Sequence, residues 1–392
     1  MDSQLTPCEE RVVPTEGRRR LTIGIPAEDP AVETRSPLTP QGVEILTSAG
    51  HKVVVERRRQ ATSRFTDEQY ARAGAQISDS RRATLDADLV LKVAPPEVAD
   101  VAQMRQSPTI ACFAGRHKTP PEVFRQLADR RATLIATDSM TDTPGSWPVI
   151  DRALGEMEGQ MAITTAAHLL EEGCGGKGII VGGVTGVPPT EVVIVGADTA
   201  AFFAARAGLA LGCSVKVFDT SHSALQSVAM RLPHHVFTSI LHPQAMTKAL
   251  GSADVIIGTR HAGTTPGYAI PAEHLALVKR GAVVVDLDAS NGGRTEHSAP
   301  TSIAAPTYKM EGLTFHCLPD ITTLAPHTAT IVISDTLTPL IARLAEAGGT
   351  ARAALHHADV QSAIAMFHGC FTNRRLARAA GAEYFDIKLL LV

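Results

Sequence analysis

The stretch from Glu191 to Thr220 constrains the fold more than any other part of the chain. Val192–Val195 is an unbroken β-branched run, which is typical of a buried parallel strand. Gly196 ends that run, an alanine-rich segment over 200–211 predicts a helix, and residues 214–218 predict a second strand. Strand, turn, helix and strand form a βαβ unit, so the sequence predicts an α/β protein with a doubly wound parallel sheet.

The same unit has the layout of a dinucleotide-binding turn, with one departure. In that fingerprint three small residues let the backbone approach a pyrophosphate, and an acid about 20 residues on binds the ribose. The four corresponding positions here are Gly196, Asp198, Ala201 and Asp219. A carboxylate at the second position opposes a pyrophosphate. An ordinary βαβ crossover that binds nothing is therefore an equally good interpretation of this motif alone.

Length, charge and cysteine content limit the class of protein. A chain of 392 residues predicts two or three domains, and a net charge of -3 gives no reason to expect nucleic acid or an anionic membrane as a partner. No apolar run reaches the roughly 20 residues of a membrane span. The N-terminus lacks the apolar segment of a secretory signal, so we expect a cytoplasmic protein with a disordered extension over residues 1–20. The six cysteines are scattered with no C-x-x-C, so we expect reduced thiols and no metal site.

Strand and helix patterns alternate along the chain in two blocks. The blocks cover about residues 21–138 and 191–286, and Val149–Leu170 reads as one long helix between them. Two doubly wound sheets follow from this alternation, with a cleft where the carboxyl ends of their strands meet. The segment over 328–379 reads as mostly helical.

Four longer motifs occur in the order found in one known family. They are ETRSPLTP at 33–40, DLVLKVAPP at 88–96, KGIIVGGVTGVPPTEVVIVGA at 177–197 and VDLDASNGG at 285–293. This order resembles the alanine dehydrogenase and pyridine nucleotide transhydrogenase alpha-subunit family, from about Thr22 to Tyr384. The resemblance implies two Rossmann-like domains: a substrate domain of 1–148 plus 325–392 and a dinucleotide-binding domain of 149–324. It also implies a homo-oligomer, either a dimer or a hexamer.

The resemblance further implies a substrate site for a small carboxylated molecule. Arg35 stands at the family's carboxylate-binding arginine, and Lys92 at the lysine that contacts the substrate carbonyl or carboxylate. The family's acid/base histidine aligns with Arg116, and His117 follows one place on. Each has a plainer alternative: a salt bridge for Arg35, a structural ion pair for Lys92 and a solvated loop histidine for His117. The expected catalytic residues are Lys92, His117 and Ser290, and the expected substrate-binding residues are Arg35, Lys92 and Arg116.

Several positions on the cofactor side depart from the family pattern. Ser290 followed by Asn291 stands where the dehydrogenases carry an aspartate, and is closer to the transhydrogenase version. Asp320 replaces the usual asparagine of the nicotinamide-side loop. Asn291 and Asp320 therefore join Asp198 among the expected cofactor-binding residues. Asp219 favours NAD over NADP because an acid repels the additional phosphate.

Three functions are consistent with these residues. The first is an NAD(P)-dependent oxidoreductase acting on a small amino acid, 2-oxo acid or imine. The second is a lyase or cyclase that binds a carboxylated substrate and has lost dinucleotide use, in which case there is no cofactor. The third is a catalytically inactive binding protein. The sequence favours the first because the ribose acid and the strand–loop–helix unit are both retained.

Overall fold

A computed structural model describes residues 20–58, 64–116, 119–142, 146, 148–233, 235–260 and 268–391. The strands are β1 (Thr22–Ile25), β2 (Lys52–Glu56), β3 (Gln76–Ser78), β4 (Leu89–Leu91), β5 (Thr109–Cys112), β6 (Thr133–Ala136), β7 (Glu191–Val195), β8 (Ser214–Asp219), β9 (Phe237–Ile240), β10 (Val255–Gly258), β11 (Val283–Asp286), β12 (Thr307–Met310), β13 (Leu313–His316), β14 (Ile364–Phe367) and β15 (Cys370–Phe371).

Helices flank both faces of the strands. They are α1 (Pro40–Ser48), α2 (Asp67–Arg72), α3 (Arg81–Leu85), α4 (Val98–Gln103), α5 (Pro121–Asp129), α6 (Val149–Leu170), α7 (Thr199–Ala210), α8 (His222–Arg231), α9 (Pro243–Ser252), α10 (Ala272–Leu275), α11 (Pro326–Glu346), α12 (Thr350–His356), α13 (Ala358–Ala363), α14 (Arg374–Ala380) and α15 (Ile387–Leu390). Short 3-10 helices lie at Thr137–Ser139, Glu172–Cys174, Ala289–Asn291 and Ile321–Leu324. None of the described helices is both long and apolar enough to span a membrane.

The strands form two predominantly parallel sheets, which confirms the predicted fold class. The first sheet has the order β15-β14-β6-β5-β4-β1-β2-β3, and the second β12-β13-β11-β10-β7-β8-β9. Strand order reverses between β4 and β1 in the first sheet and between β10 and β7 in the second. Such switch points open a crevice at the carboxyl ends of the strands, which is where ligands of doubly wound sheets bind.

Alternate side chains of each central strand pack on opposite faces of its sheet. Val192 and Ile194 of β7 belong to one buried cluster, and Val193 and Val195 to another. Successive side chains of a strand point to opposite faces, and both faces here carry helices. This double burial is the reason that the strand reads as an unbroken apolar run.

The segment over 328–379 is mostly helical, as expected, but residues 364–367 and 370–371 form two strands that the sequence did not predict. There β14 pairs antiparallel with β6, and β15 forms a hairpin with β14. The chain returns to the first sheet and covers the edge that β6 would otherwise expose. The four apolar residues of β14 are too few for periodicity to distinguish a buried strand from a helical turn. Pairing with β6 in the folded protein determines that they form a strand.

Gly159 sets the distance between α6 and α7. A Cβ atom at this position would lie 2.2 Å from the carbonyl oxygen of Ala200 and 2.6 Å from the nitrogen of Ala204. Both are backbone atoms, so the two helices would have to separate. We expect Gly159→Ala to lower the free energy of unfolding by about 1–3 kcal/mol, measured by urea unfolding. Gly173→Ala is the matched control, because a Cβ atom there meets nothing within 4 Å. Equal stabilities of the two variants would contradict this account of the packing.

Candidate active site

A cleft of about 880 Å³ lies at the switch point of the first sheet. Residues that follow β1 and β4 line one side, and residues from the loops after β11 and β13 line the other. The charged and hydroxyl side chains that line it include Glu28, Glu33, Arg81, Lys92, Ser290 and Asp320. The volume is within the range of small-molecule sites. This cleft lies between the two sheets, at the place where the strand pattern predicts ligand binding.

Lys92 reaches the cleft as half of a buried ion pair. Its Nζ donates to Glu28 Oε2 at 2.8 Å, and both side chains are only 4% exposed. The other oxygen, Glu28 Oε1, accepts from the Val93 backbone nitrogen at 2.6 Å. The carboxylate is therefore held by the backbone and in turn holds the ammonium group. A cation kept in place in this way is suited to binding a carboxylate or carbonyl oxygen.

Arg35 is fully buried and its guanidinium group is held by two carboxylates. Nε and Nη2 donate to the two oxygens of Glu33 at 2.7 and 2.6 Å, and Nη1 donates to Asp320 Oδ2 at 2.8 Å and Thr322 Oγ1 at 2.7 Å. Burial alone would lower the pKa of Arg35, but Asp320 and Glu33 outweigh it and raise that pKa. Arg35 lies behind the cleft wall and is not among the residues that line it.

Arg116 continues the same buried arrangement toward α6. Its Nη1 donates to Glu158 Oε1 at 2.8 Å and to Asp320 Oδ2 at 3.1 Å, and its Nε donates to Asp151 Oδ1 at 2.7 Å. Burial works to lower the pKa of Arg116, and Glu158 and Asp151 raise it above its ordinary value. Burial alone would raise the pKa of the Asp320 carboxyl group. The positive charges of Arg35 and Arg116 outweigh that effect and hold the pKa of Asp320 well below its usual range.

Arg260 adds a third guanidinium group, with Nη2 donating to Glu158 Oε1 at 2.7 Å. We call the whole set the arginine network; its members are Arg35, Arg116, Arg260, Glu33, Asp151, Glu158 and Asp320. It joins loops of the first sheet to α6 and to the loop after β13. Asp320 accepts from both Arg35 and Arg116 through one oxygen, so it is the point where the two halves meet.

The N-terminus of α7 is capped by Asp198. Its Oδ1 accepts from the Ala201 backbone nitrogen at 2.8 Å, a donor that an anion would otherwise use. The preceding Gly196 has φ of +117°, and a Cβ atom there would lie 2.1 Å from Thr259 Oγ1. The tight turn of the dinucleotide fingerprint is thus retained. The Asp198 carboxylate occupies the position at the helix N-terminus where a bound anion would lie. Burial raises the pKa of Asp198 to about 6.

Space in front of this helix is small. Asp151, Gly155, Glu158, Asp198, Thr199 and Arg260 line a void of about 10 Å³. Such a void has room for about one water molecule. The described residues therefore leave little space for a phosphate between α6 and the start of α7.

The ribose end of a dinucleotide site is better preserved. Asp219 ends β8, and its Oδ1 accepts from the Ser221 backbone nitrogen at 2.7 Å. Ala201 is buried beneath the turn. Asn291 lies on the 3-10 helix after β11 and donates from Nδ2 to Asp288 Oδ1 at 3.1 Å. The chain therefore retains the acid at the ribose end of a dinucleotide site and carries a second carboxylate, Asp198, at the pyrophosphate end.

The structure brings some of the predicted site residues together and separates others. Lys92, Ser290 and Asp320 share the cleft, while Arg35 and Arg116 meet at Asp320 behind it. His117 lies outside the described residues, so its role stays a prediction. The partners Glu28 and Glu158 were not found from the sequence, because their lysine and arginine partners lie 64, 42 and 102 residues away.

Family models identify both parts of the chain. The alanine dehydrogenase/PNT N-terminal domain matches residues 24–152, and the corresponding C-terminal domain matches residues 162–374. The chain belongs to the alanine dehydrogenase/PNT family. The motif resemblance is thereby confirmed.

Individual relatives agree with this assignment. An alanine dehydrogenase of Halomonas elongata is 31% identical over 95% of this chain and all of its own length. One from Mycobacterium tuberculosis is 30% identical over 93% of this chain and 98% of its own length. A solved L-alanine dehydrogenase superposes with a TM-score of 0.83 at 26% identity, covering 91% of this chain and 98% of that one. The chain is an alanine-dehydrogenase-like oxidoreductase with two Rossmann-like sheets.

Proposed function

We propose that this member of the alanine dehydrogenase/PNT family oxidises a small amino acid, or reduces the matching 2-oxo acid or imine, with NAD as its cofactor. The observation that carries the proposal is the position of Lys92. Its ammonium group lines a cleft at the switch point of the first sheet, in a chain whose relatives are named alanine dehydrogenases.

Lys92 is the proposed substrate anchor. Its ammonium group binds the carboxylate or carbonyl oxygen of the substrate, and Glu28 holds that ammonium in place. Ser290 lies on the opposite wall and is proposed to donate to the same substrate. His117 remains the proposed acid/base group because the imidazole pKa suits proton transfer near neutral pH.

Arg35 and Arg116 have a competitor for any substrate carboxylate. Asp320 accepts from both arginines through one oxygen and already supplies the negative charge that a substrate would bring. We propose that a substrate carboxylate reaches these arginines only by displacing Asp320. Lys92 also has a carboxylate partner, Glu28, but unlike the two arginines it lines the cleft, so we assign substrate binding in the resting arrangement to Lys92.

The domain division and assembly complete the proposal. A substrate domain of 1–148 plus 325–392 around a dinucleotide domain of 149–324 is supported by the sheet order, since β14 and β15 join the first sheet. We also propose a cytoplasmic homo-oligomer. Size-exclusion chromatography with light scattering would measure the subunit number.

The deciding experiment is a pair of titrations followed by an assay. Purified protein is titrated with NAD and with NADPH, and NADH formation is then followed with L-alanine and other small amino acids. We expect NAD binding tighter than NADPH binding, because Asp219 repels the additional phosphate, together with turnover of at least one amino acid. Absence of binding by both nucleotides, with no turnover, would reject the oxidoreductase in favour of a lyase, a cyclase or a binding protein.

Lys92→Met tests the substrate anchor. We expect it to raise the KM for the amino acid about tenfold, equivalent to roughly 1.4 kcal/mol of binding free energy. The measurement is steady-state kinetics on protein whose folding has been checked by thermal unfolding. Lys52→Met, at an exposed position of β2, is the matched control.

A second variant separates binding from stability. Lys92→Met leaves Glu28 buried without its cation, which destabilises the protein by itself. The double variant Lys92→Met with Glu28→Gln removes that charge, so we expect its stability to recover while its KM stays high. Recovery of both properties together would show that Lys92 is only a structural ion-pair partner.

A further inference from the structure

Three side chains with metal-binding atoms converge at the C-terminal end of α6. They are His168 on the last turn, Glu171 at the end of the helix and Cys174 in the 3-10 turn that follows. One ligand atom from each lies within 4.8 Å of the other two. All three are exposed and far along α6 from Asp151 and Glu158, so this cluster is separate from the arginine network.

The three residues are spaced three apart in the sequence, and backbone hydrogen bonds link each one to the next. The Glu171 nitrogen donates to the His168 carbonyl oxygen at 3.3 Å, and the Cys174 nitrogen donates to the Glu171 carbonyl oxygen at 3.1 Å. Residues three apart in turns of this kind lie one above the other. Gly175, with φ of +73°, then turns the chain away. The side chains are therefore brought together by local backbone structure.

The distances match those between ligands of one tetrahedral ion. From His168 Nδ1 it is 3.7 Å to Cys174 Sγ and 3.7 Å to Glu171 Oε2. Zinc bonds of about 2.3 Å to sulfur, 2.0 Å to nitrogen and 2.1 Å to oxygen, at tetrahedral angles, place sulfur and oxygen about 3.4–3.6 Å from the nitrogen. Sγ also lies 3.3 Å from His168 Nε2, beside the imidazole ring. Closing the site therefore requires this exposed ring to rotate so that the Nδ1 lone pair faces the ion.

Charge around the cluster also suits a cation. A bound thiolate and a carboxylate supply two negative charges, and the C-terminal end of a 22-residue helix adds the negative end of its dipole. The nearby Lys309 is the opposing charge; its Nζ donates to the Gly175 carbonyl oxygen at 2.9 Å, so its ammonium group is held by the backbone.

We propose that His168, Glu171 and Cys174 bind a Zn²⁺ ion through Nδ1, a carboxylate oxygen and Sγ, with water in the fourth position. Sulfur, nitrogen and oxygen together are a donor set that favours Zn²⁺ over Mg²⁺ or Ca²⁺. The ion links the end of α6 to the glycine-rich segment that leads into β7. The site departs from the expectation, drawn from cysteine spacing, that the chain has no metal site.

Cobalt is the probe that reports the ligands directly. Full-length reduced protein is titrated with Co²⁺, and absorption by a thiolate-to-cobalt transition is followed. We expect one equivalent to bind with that band, Cys174→Ser to abolish the band, and His168→Asn and Glu171→Gln each to weaken binding at least tenfold. Cys370→Ser, at another partly exposed cysteine, is the matched control and leaves the band unchanged.

Zn²⁺ provides the second measurement. It is expected to displace Co²⁺ stoichiometrically and to raise the Tm of the wild-type protein but not that of Cys174→Ser. A band that survives Cys174→Ser would place the thiolate elsewhere and overturn the proposal. So would wild-type protein that shows no band, or an affinity that His168→Asn leaves unchanged. None of these readouts depends on nucleotide binding or turnover.

Discussion

Arg116→Ala is expected to lower the free energy of unfolding by about 3–5 kcal/mol, the range found when one partner of a buried ion pair is removed. The arginine contacts three carboxylates, and the side chains of two of them, Glu158 and Asp320, are each only 2% exposed. Truncation leaves these charges buried with a cation missing between them. Urea unfolding of the full-length chain measures the change.

An exposed arginine supplies the matched control. Arg57 pairs with Asp79 at 2.6 Å, but the two side chains are 56% and 80% exposed. Solvent screens such exposed pairs, so Arg57→Ala should change the free energy of unfolding little. A loss below about 1 kcal/mol for Arg116→Ala as well would mean that water or side-chain movement compensates the buried carboxylates. The arginine network would then not be what joins the two sheets.

Asp198→Gly is expected to tighten NAD binding at least tenfold. A carboxylate about 5 Å from a phosphate opposes binding by roughly 3 kcal/mol per phosphate charge at an effective dielectric of 20. Glycine removes both that charge and the side chain that fills the space at the N-terminus of α7. The cap on the Ala201 nitrogen is lost, at a cost of only a few tenths of a kcal/mol for glycine. Calorimetric titration of both proteins with NAD gives the two affinities.

Asp198→Asn separates charge from space. Asparagine is also a good N-cap residue and has nearly the volume of aspartate, so this variant removes the charge alone. If the NAD affinity of Asp198→Asn lies midway between those of wild type and Asp198→Gly, the loss of affinity comes partly from charge repulsion and partly from the volume of the side chain. Tight wild-type binding that neither variant improves would show that pyrophosphate binds away from this carboxylate.

The same carboxylate makes NAD binding depend on pH. Burial raises the pKa of Asp198 to about 6, so the group is largely charged at pH 8 and largely neutral at pH 5. We expect wild-type affinity to increase as pH falls through 6, and the affinity of Asp198→Asn to stay flat over the same range. Parallel profiles for the two proteins would assign the dependence to a different group.

These binding results also decide between the functional alternatives. If the wild-type protein binds NAD weakly and Asp198→Gly strengthens that binding, the protein is an oxidoreductase in which the capping carboxylate weakens cofactor binding. No binding to either protein, even without the Asp198 side chain, would favour an enzyme or binding protein that has lost the dinucleotide. In that case the cleft and Lys92 remain its ligand site.

Local sequence pattern was sufficient to predict the α/β fold class and its two parallel sheets. The apolar runs of β1, β4 and β7 read directly as strands because both faces of each sheet are covered, and α6 was predicted with both of its ends, Val149 and Leu170. Lys92 was predicted from the resemblance of DLVLKVAPP to the family motif, and its place directly after the buried strand β4 agrees with the ligand-binding edge of a parallel sheet.

Long-range contacts decided the rest. Hydrogen bonds across 285 and 204 residues bring Arg35 and Arg116 to one oxygen of Asp320, and no spacing rule along the chain predicts such partners. The pairing of β14 with β6 likewise makes a strand of a short apolar segment whose sequence predicts a helix. Asp198 was consistent with either a blocking or a capping role in the sequence. The folded turn shows the capping role, because it places the carboxylate on the Ala201 nitrogen with a void of about 10 Å³ beside it. The blocking role stays a prediction, which the NAD titrations test.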